Sequence, residues 1–231
     1  MEKLKFVSWA CITYGRPQCV PEIIRMFLEQ DYKGKKEFVI LNDDPDVNYV
    51  FNHPEVRIYN WNHRFNNVRL KNNACVDLCK GEVFMETADD DSWKPHATTM
   101  FMDALGDSPF VIVRGFWKHS EGLERVWLDM VTGPIFACRV DFFQKMKGYA
   151  AWIWHDFGDH IRDKSTDDWV LHPANFVERV KEAEGCYKEF RVEEKDGFFT
   201  WVRGQPSFWT DRSPEKYKIK KRNPKIIEVK L

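Results

Sequence analysis

The stretch EVFMETADDDSWKP (82–95) decides how this chain reads. Its first half, EVFMETA (82–88), is an apolar run of strand length with β-branched and aromatic residues. It runs straight into three consecutive carboxylates, Asp89, Asp90 and Asp91, followed by Trp93 and Pro95. Adjacent carboxylates repel one another, which raises the cost of ionising all three. A bound divalent cation removes that cost. Hard oxygen donors suit Mg²⁺ or Mn²⁺, with phosphate oxygens completing the shell. The competing reading of the same run is a solvated acidic turn. What separates the two is whether other polar clusters fall at equivalent places in the fold.

Two others do. Upstream, LKFVSWACI (4–12) is a buried-strand pattern ending in Thr13-Tyr14-Gly15-Arg16. VPEIIRMFLEQDY (20–32) follows, with Val20, Ile23, Ile24, Phe27 and Leu28 on one helical face and Pro21 in the first turn. EFVILN (37–42) is then a short apolar strand stopped by Asp43-Asp44. Strand, helix, strand implies a parallel pair with a right-handed crossover. VRIYNW (56–61) reads as a third strand. RLKNNACVDLCKG (69–81) reads as a helix, with Leu70, Ala74 and Leu78 on one face and Gly81 as its stop. In an open α/β sheet, ligands sit beyond the carboxyl ends of the strands. Three strand ends carrying polar clusters point to a ligand site.

Downstream, SWKPHATTMFMDAL (92–105) reads as a helix with Pro95 near its start. FVIVRGFW, VWLDMV and IFACRV read as strands, and DFFQKMKGY as a short helix. Residues 150–166 read as a long polar loop, and the chain from 167 as helix restarted at Pro173. YKEFRVEE and FFTWV are late strands. The whole is expected to be one α/β domain with a mixed, mostly parallel sheet. It divides into a first half (1–92), a second half (93–210) and a basic tail (211–231).

Composition bounds the function. The chain has 231 residues, 43% hydrophobic, with a formal net charge of −1. That gives no global electrostatic case for a nucleic-acid or membrane partner. There are 18 Phe and 10 Trp; some Trp faces could stack on sugars, but most suit a core. The six cysteines are scattered and form no CxxC pair, which suits a reducing compartment. No stretch has the apolar length of a signal peptide or membrane span. A cytoplasmic protein is the expectation.

Six pieces, in order, resemble family 2 glycosyltransferases of the GT-A fold, over roughly residues 5–170. They are ITYGRP (12–17) with its helix and LEQDY (28–32), VILND (39–43), NNACVDLCKGEVF (72–84), ADDDSWKP (88–95), GPIFACRVDFFQKMKGY (133–149) and TDDW (166–169). The resemblance implies a metal-dependent, inverting, non-processive transfer of one sugar from a nucleoside-diphosphate sugar, with a UDP-sugar favoured. The cofactor would be Mn²⁺ or Mg²⁺. Thr13, Tyr14 and Arg16 would line the nucleobase pocket, and Asp43 would accept a hydrogen bond from the base.

Asp90 and Asp91 would hold the metal. Asp91 makes a literal DxD with Asp89, whereas alignment from Gly81 matches Ala88 and Asp90 to the outer positions. The family often has Arg-Asn in the helix before Gly81. Here Asn72-Asn73 stands there after Lys71, so Lys71 or Arg69 would neutralise the diphosphate. Asp168 would be the general base, with Asp167, Asp156 and Asp159 as reserves. Arg203 would be a late basic residue facing the leaving group.

His155 and His160 in HDFGDH also allow a zinc site, against a polar acceptor loop. The acceptor would be a saccharide or lipid-linked glycan. The tail EKYKIKKRNPKIIEVKL, with seven basic and two acidic residues, leaves a nucleic-acid or membrane-surface acceptor open. Two other classes compete. A nucleotidyltransferase would need a glycine-rich phosphate loop, which TYGRPQCVP lacks. A catalytically inactive nucleotide- or sugar-binding module would not need Asp90, Asp91 and Asp168.

Overall fold

The computed structural model describes residues 4–61, 64–65, 68–114, 116–119, 125–127, 136–149, 176, 180–181, 183, 185–186, 188–191, 199–201 and 224–231. The chain opens with β1 (Val7–Thr13), α1 (Cys19–Leu28), β2 (Lys36–Asn42), β3 (Val47–Val50), β4 (Val56–Asn60), α2 (Val68–Asp77) and β5 (Val83–Ala88). It continues through β6 (Asp91–Trp93), α3 (Ala97–Leu105), β7 (Phe110–Arg114), β8 (Phe116–His119), β9 (Arg125–Trp127), β10 (Phe136–Arg139) and α4 (Val140–Lys145). Three later strands are β11 (Glu189–Arg191), β12 (Phe199–Trp201) and β13 (Lys225–Glu228).

The main sheet has seven strands in the order β11-β7-β10-β5-β1-β2-β4. β1 lies at its heart, parallel to β2 and β5, and β4 continues the parallel set beside β2. β10 runs against both β5 and β7, while β11 is parallel to β7. This is the expected α/β architecture with a mixed, mostly parallel sheet flanked by helices.

The near-continuous apolar runs of β1 and β2 fit a sheet covered on both faces. Alternation along β1 divides the core. Val7, Trp9 and Cys11 pack with α1, Phe38, Trp93 and α3, whereas Ala10 packs with Cys75, Val76, Phe84, Phe136 and Phe143. Trp9 anchors the first face, its ring centroid 5.6 Å from Phe27 and 5.5 Å from Trp93, with its indole N–H donating to Thr98 Oγ1 at 3.0 Å. These two tryptophans are core residues.

Four expectations change. The predicted helix 92–105 begins only at Ala97. Asp91–Trp93 is a strand, antiparallel to β12, and Pro95 disfavours helix at Lys94. The predicted face of α2 is buried only in part. Ala74 and Leu78 pack partly buried against the core and Leu70 is exposed, while Arg69, Lys71, Asn72, Cys75 and Val76 are the buried residues.

Gly81 does not stop α2, which ends at Asp77. It is a glycine because a Cβ there would stand 2.7 Å from Ser8 N and 2.8 Å from Phe6 O. FVIVRGFW divides between two sheets, β7 in the main one and β8 in a four-stranded sheet ordered β6-β12-β8-β9. Of the basic tail, residues 225–228 form β13, parallel to β3, a pairing no periodicity announced.

Candidate active site

The carboxyl ends of β1, β2 and β5 meet. Thr13, last residue of β1, donates from Oγ1 to Asp89 Oδ2 at 2.6 Å, tying the first strand end to the acidic run after β5. Lys71, on the inward face of α2, donates to the Thr13 carbonyl at 2.7 Å and ion-pairs with Asp43 after β2. One lysine therefore joins two strand ends, and Thr13 joins the third. Both Lys71 and Asp43 are buried. Asp43 also accepts from the Phe65 backbone N–H at 2.9 Å. Around it, Trp61 and Phe65 rings lie 5.8 Å apart, and the Arg64 guanidinium covers the Tyr14 ring at 3.2 Å. Aromatic rings therefore stand beside the polar strand ends.

The three aspartates after β5 separate into two roles. Asp89 is buried and Asp90 partly exposed, and Arg16 bridges them: its Nη1 lies 2.9 Å from Asp89 Oδ1 and 2.5 Å from Asp90 Oδ2. Arg16 reaches them from a tight turn in which Gly15 has φ +65°, a backbone conformation that favours glycine. Asp91 turns back instead, and its Oδ2 accepts the Ala88 N–H at 2.7 Å, closing the turn between β5 and β6.

Burial raises Asp91 well above the ordinary carboxylate range, with Asp90 and Asp89 adding to the rise. Burial also raises Asp89, to about 6, although Arg16 and the Thr13 hydroxyl pull the other way. For Arg16, burial opposes the charge, but Asp89 and Asp90 outweigh it and raise its pKa further.

Behind the cluster lies an arrangement the sequence reading missed. Glu86 interrupts the apolar run of β5. Its carboxyl accepts from Asn72 Nδ2 at 2.9 Å and from the Tyr149 hydroxyl. Burial raises its pKa to about 7, against the lowering effect of the Tyr149 hydrogen bond. Asn73 exchanges hydrogen bonds with the Tyr149 backbone at 2.9 and 3.0 Å, pinning the segment after α4 to α2. The available signal was Glu86, a carboxylate inside the apolar run VFMETA with no packing reason to be there.

The expected residues thus stand as follows. Thr13, Tyr14, Arg16, Asp43, Lys71, Asp89, Asp90 and Asp91 gather at one end of the sheet. Arg16 sits on the acidic run, ion-paired with Asp89 and Asp90. Lys71 is committed to Asp43 and Thr13, and Asn72 hydrogen-bonds Glu86. Asp168, Arg203, Asp167, Asp156, Asp159, His155 and His160 lie outside the described residues.

The Cys75 thiol donates to the Cys11 carbonyl at 3.4 Å and the Cys79 thiol to the Cys75 carbonyl at 3.5 Å. Among the described residues, no three side chains of His, Cys, Asp or Glu converge on one cation position. Among them too, no helix is long and apolar enough to cross a membrane.

Comparison with known proteins places this geometry. No family model and no curated protein matches the chain in sequence. Solved structures do match in three dimensions. S. aureus TarS 1–349, in complex with UDP-GlcNAc, superposes with a TM-score of 0.62 at 11% identity, over 90% of this chain and 61% of that one. The mannosyltransferase PcManGT from Pyrobaculum calidifontis, in complex with GDP-Man and Mn²⁺, does so with a TM-score of 0.58 at 13% identity, over 88% of this chain and 58% of that one. The chain thus spans about three fifths of the length of these two neighbours. The fold is that of GT-A glycosyltransferases, as the sequence resemblance implied.

Proposed function

We propose that this chain is a glycosyltransferase that moves one sugar from a nucleoside-diphosphate sugar to an acceptor hydroxyl, with inversion. The observation that carries this is the linkage of three strand ends through Thr13, Lys71 and Asp89 into one polar floor beside aromatic walls. The bound donors of the fold neighbours, UDP-GlcNAc and GDP-Man, support the same reading. Asp43 and the Tyr14–Arg64 stack form the nucleobase side, and a uridine nucleotide is favoured over guanosine.

Asp89 and Asp90 fit a divalent cation: their hard oxygens already share one positive group, the Arg16 guanidinium. With no third protein carboxylate converging among the described residues, phosphate oxygens complete the shell, which suits Mg²⁺ or Mn²⁺. When bound, that ion offsets charge developing on the departing nucleoside diphosphate. Asp91 braces the turn that presents Asp90.

Asp168 is the proposed general base, taking the acceptor hydroxyl's proton as its oxygen attacks the anomeric carbon. Arg203 is the proposed late basic residue. The acceptor is proposed to be a saccharide or a lipid-linked glycan.

The test compares two variants in sugar transfer and donor hydrolysis with Mn²⁺. Asp168→Asn is expected to lose ~10²–10⁴-fold in turnover with donor affinity little changed. Asp90→Ala is expected to weaken donor binding. Near-normal turnover by Asp168→Asn would remove its role as base, and a product of retained configuration would remove the need for a base there.

A further inference from the structure

The acidic run after β5 already has a cation. Arg16 Nη1 lies 2.9 Å from Asp89 Oδ1 and 2.5 Å from Asp90 Oδ2, the same oxygens a divalent ion would use. A guanidinium keeps its proton at any physiological pH, so it leaves such a site only by exchanging one anionic partner for another. With Arg16 in place, an incoming dication meets both a like charge and oxygens already engaged.

The geometry makes exchange feasible. Arg16 hangs from the short turn at Gly15, its side chain is 13% exposed, and that of Asp90 is 15% exposed. A diphosphate is the natural new partner, because guanidinium binds phosphate oxygens in bidentate fashion.

Building on the function proposed above, we propose that Arg16 is an internal counter-ion occupying the cation position of the Asp89–Asp90 pair. A nucleoside diphosphate draws it onto its phosphates, and the divalent ion loads only as that nucleotide arrives. The nucleotide and the metal are therefore coupled through one side chain. Free divalent ion does not charge the site in advance.

The experiment titrates Mn²⁺ into the full chain and follows free Mn²⁺ by electron paramagnetic resonance, without nucleotide and then with UDP or GDP. Without nucleotide, Arg16→Met is expected to bind Mn²⁺ about tenfold or more tightly than the unmodified protein, since the competing charge is gone. Arg16→Lys should fall between them. With nucleotide, the order should reverse, because Arg16→Met lacks the phosphate contact.

The gain should vanish in Arg16→Met with Asp90→Asn, and a persisting gain would put the ion elsewhere and overturn the proposal. Equal Mn²⁺ affinity of Arg16→Met and the unmodified protein, with the latter still taking Mn²⁺ alongside nucleotide, overturns the counter-ion role and leaves the metal-dependent reading standing. No Mn²⁺ uptake by the unmodified protein with either nucleotide overturns both. Circular dichroism confirms folding, and Arg16→Gln replaces the Met variant should that one not fold.

Discussion

Two ion pairs stand at neighbouring strand ends, and they are built differently. Lys71 and Asp43 are sealed: their side chains are 6% and 3% exposed, and the lysine also holds the Thr13 carbonyl. Arg16 and Asp90 stand at the mouth, 13% and 15% exposed, and the arginine shares itself between two carboxylates. A sealed pair is costly to break, because either partner left alone is a buried, uncompensated charge. A pair at the mouth can trade partners with a ligand. The inner pair therefore fixes Asp43 in place as scaffold for the nucleobase side, and the outer pair is the part that can exchange partners. Glu86 supplies a third case: its donors Tyr149 and Asn72 are neutral, and burial lifts its pKa to about 7.

The sharpest way to break this comparison is to remove the inner cation. Lys71→Met leaves Asp43 buried and charged, and should cost about 3–5 kcal/mol of stability, read by urea denaturation. A loss under ~1 kcal/mol would show that Asp43 is as well solvated as a surface carboxylate, and the distinction would collapse.

The second test uses pH. Glu86 has its pKa raised from an ordinary 4.5 to about 7, so the folded state holds that proton more tightly than the unfolded one. Its contribution to stability is full below pH 4.5 and is lost as pH rises through 7. Glu86→Gln should reduce the loss of stability between those limits by about 2–3 kcal/mol, measured as the difference in unfolding free energy at the two pH values. The same pH dependence in both proteins would mean that Glu86 is ionised throughout.

The smallest expected effect is on the outer pair. Arg16→Met should cost about 1–3 kcal/mol, less than Lys71→Met, because it leaves Asp89 buried and unpaired while Asp90, 15% exposed, can be solvated. A loss as large as that of Lys71→Met would place Arg16 with the scaffold.

The three strand ends and their polar residues were legible in the sequence because apolar runs ending in Thr13, Asp43 and Asp89 mark where a parallel sheet stops. Which carboxylate meets which cation was not. Arg16 and Lys71 are 55 residues apart in sequence, and nothing in TYGRP or RLKNN says that the arginine takes Asp89 and the lysine takes Asp43.

The inward face of α2 was misread for a related reason. Periodicity selects the face with most apolar residues, Leu70, Ala74 and Leu78, whereas this helix buries Lys71 and Asn72 to serve the site. The strand Asp91–Trp93 was hidden because its partner, β12, lies more than a hundred residues away. Pairing at such range leaves no local pattern.

The most direct measurement of the central claim is calorimetry of UDP and of GDP binding, once with Mn²⁺ and once with EDTA. The account predicts that at least one nucleotide binds with Mn²⁺ and binds tenfold or more weakly, a loss of about 1.4 kcal/mol, when the metal is removed. Equal affinity with and without metal, or no binding of either nucleotide in the presence of Mn²⁺, would contradict it.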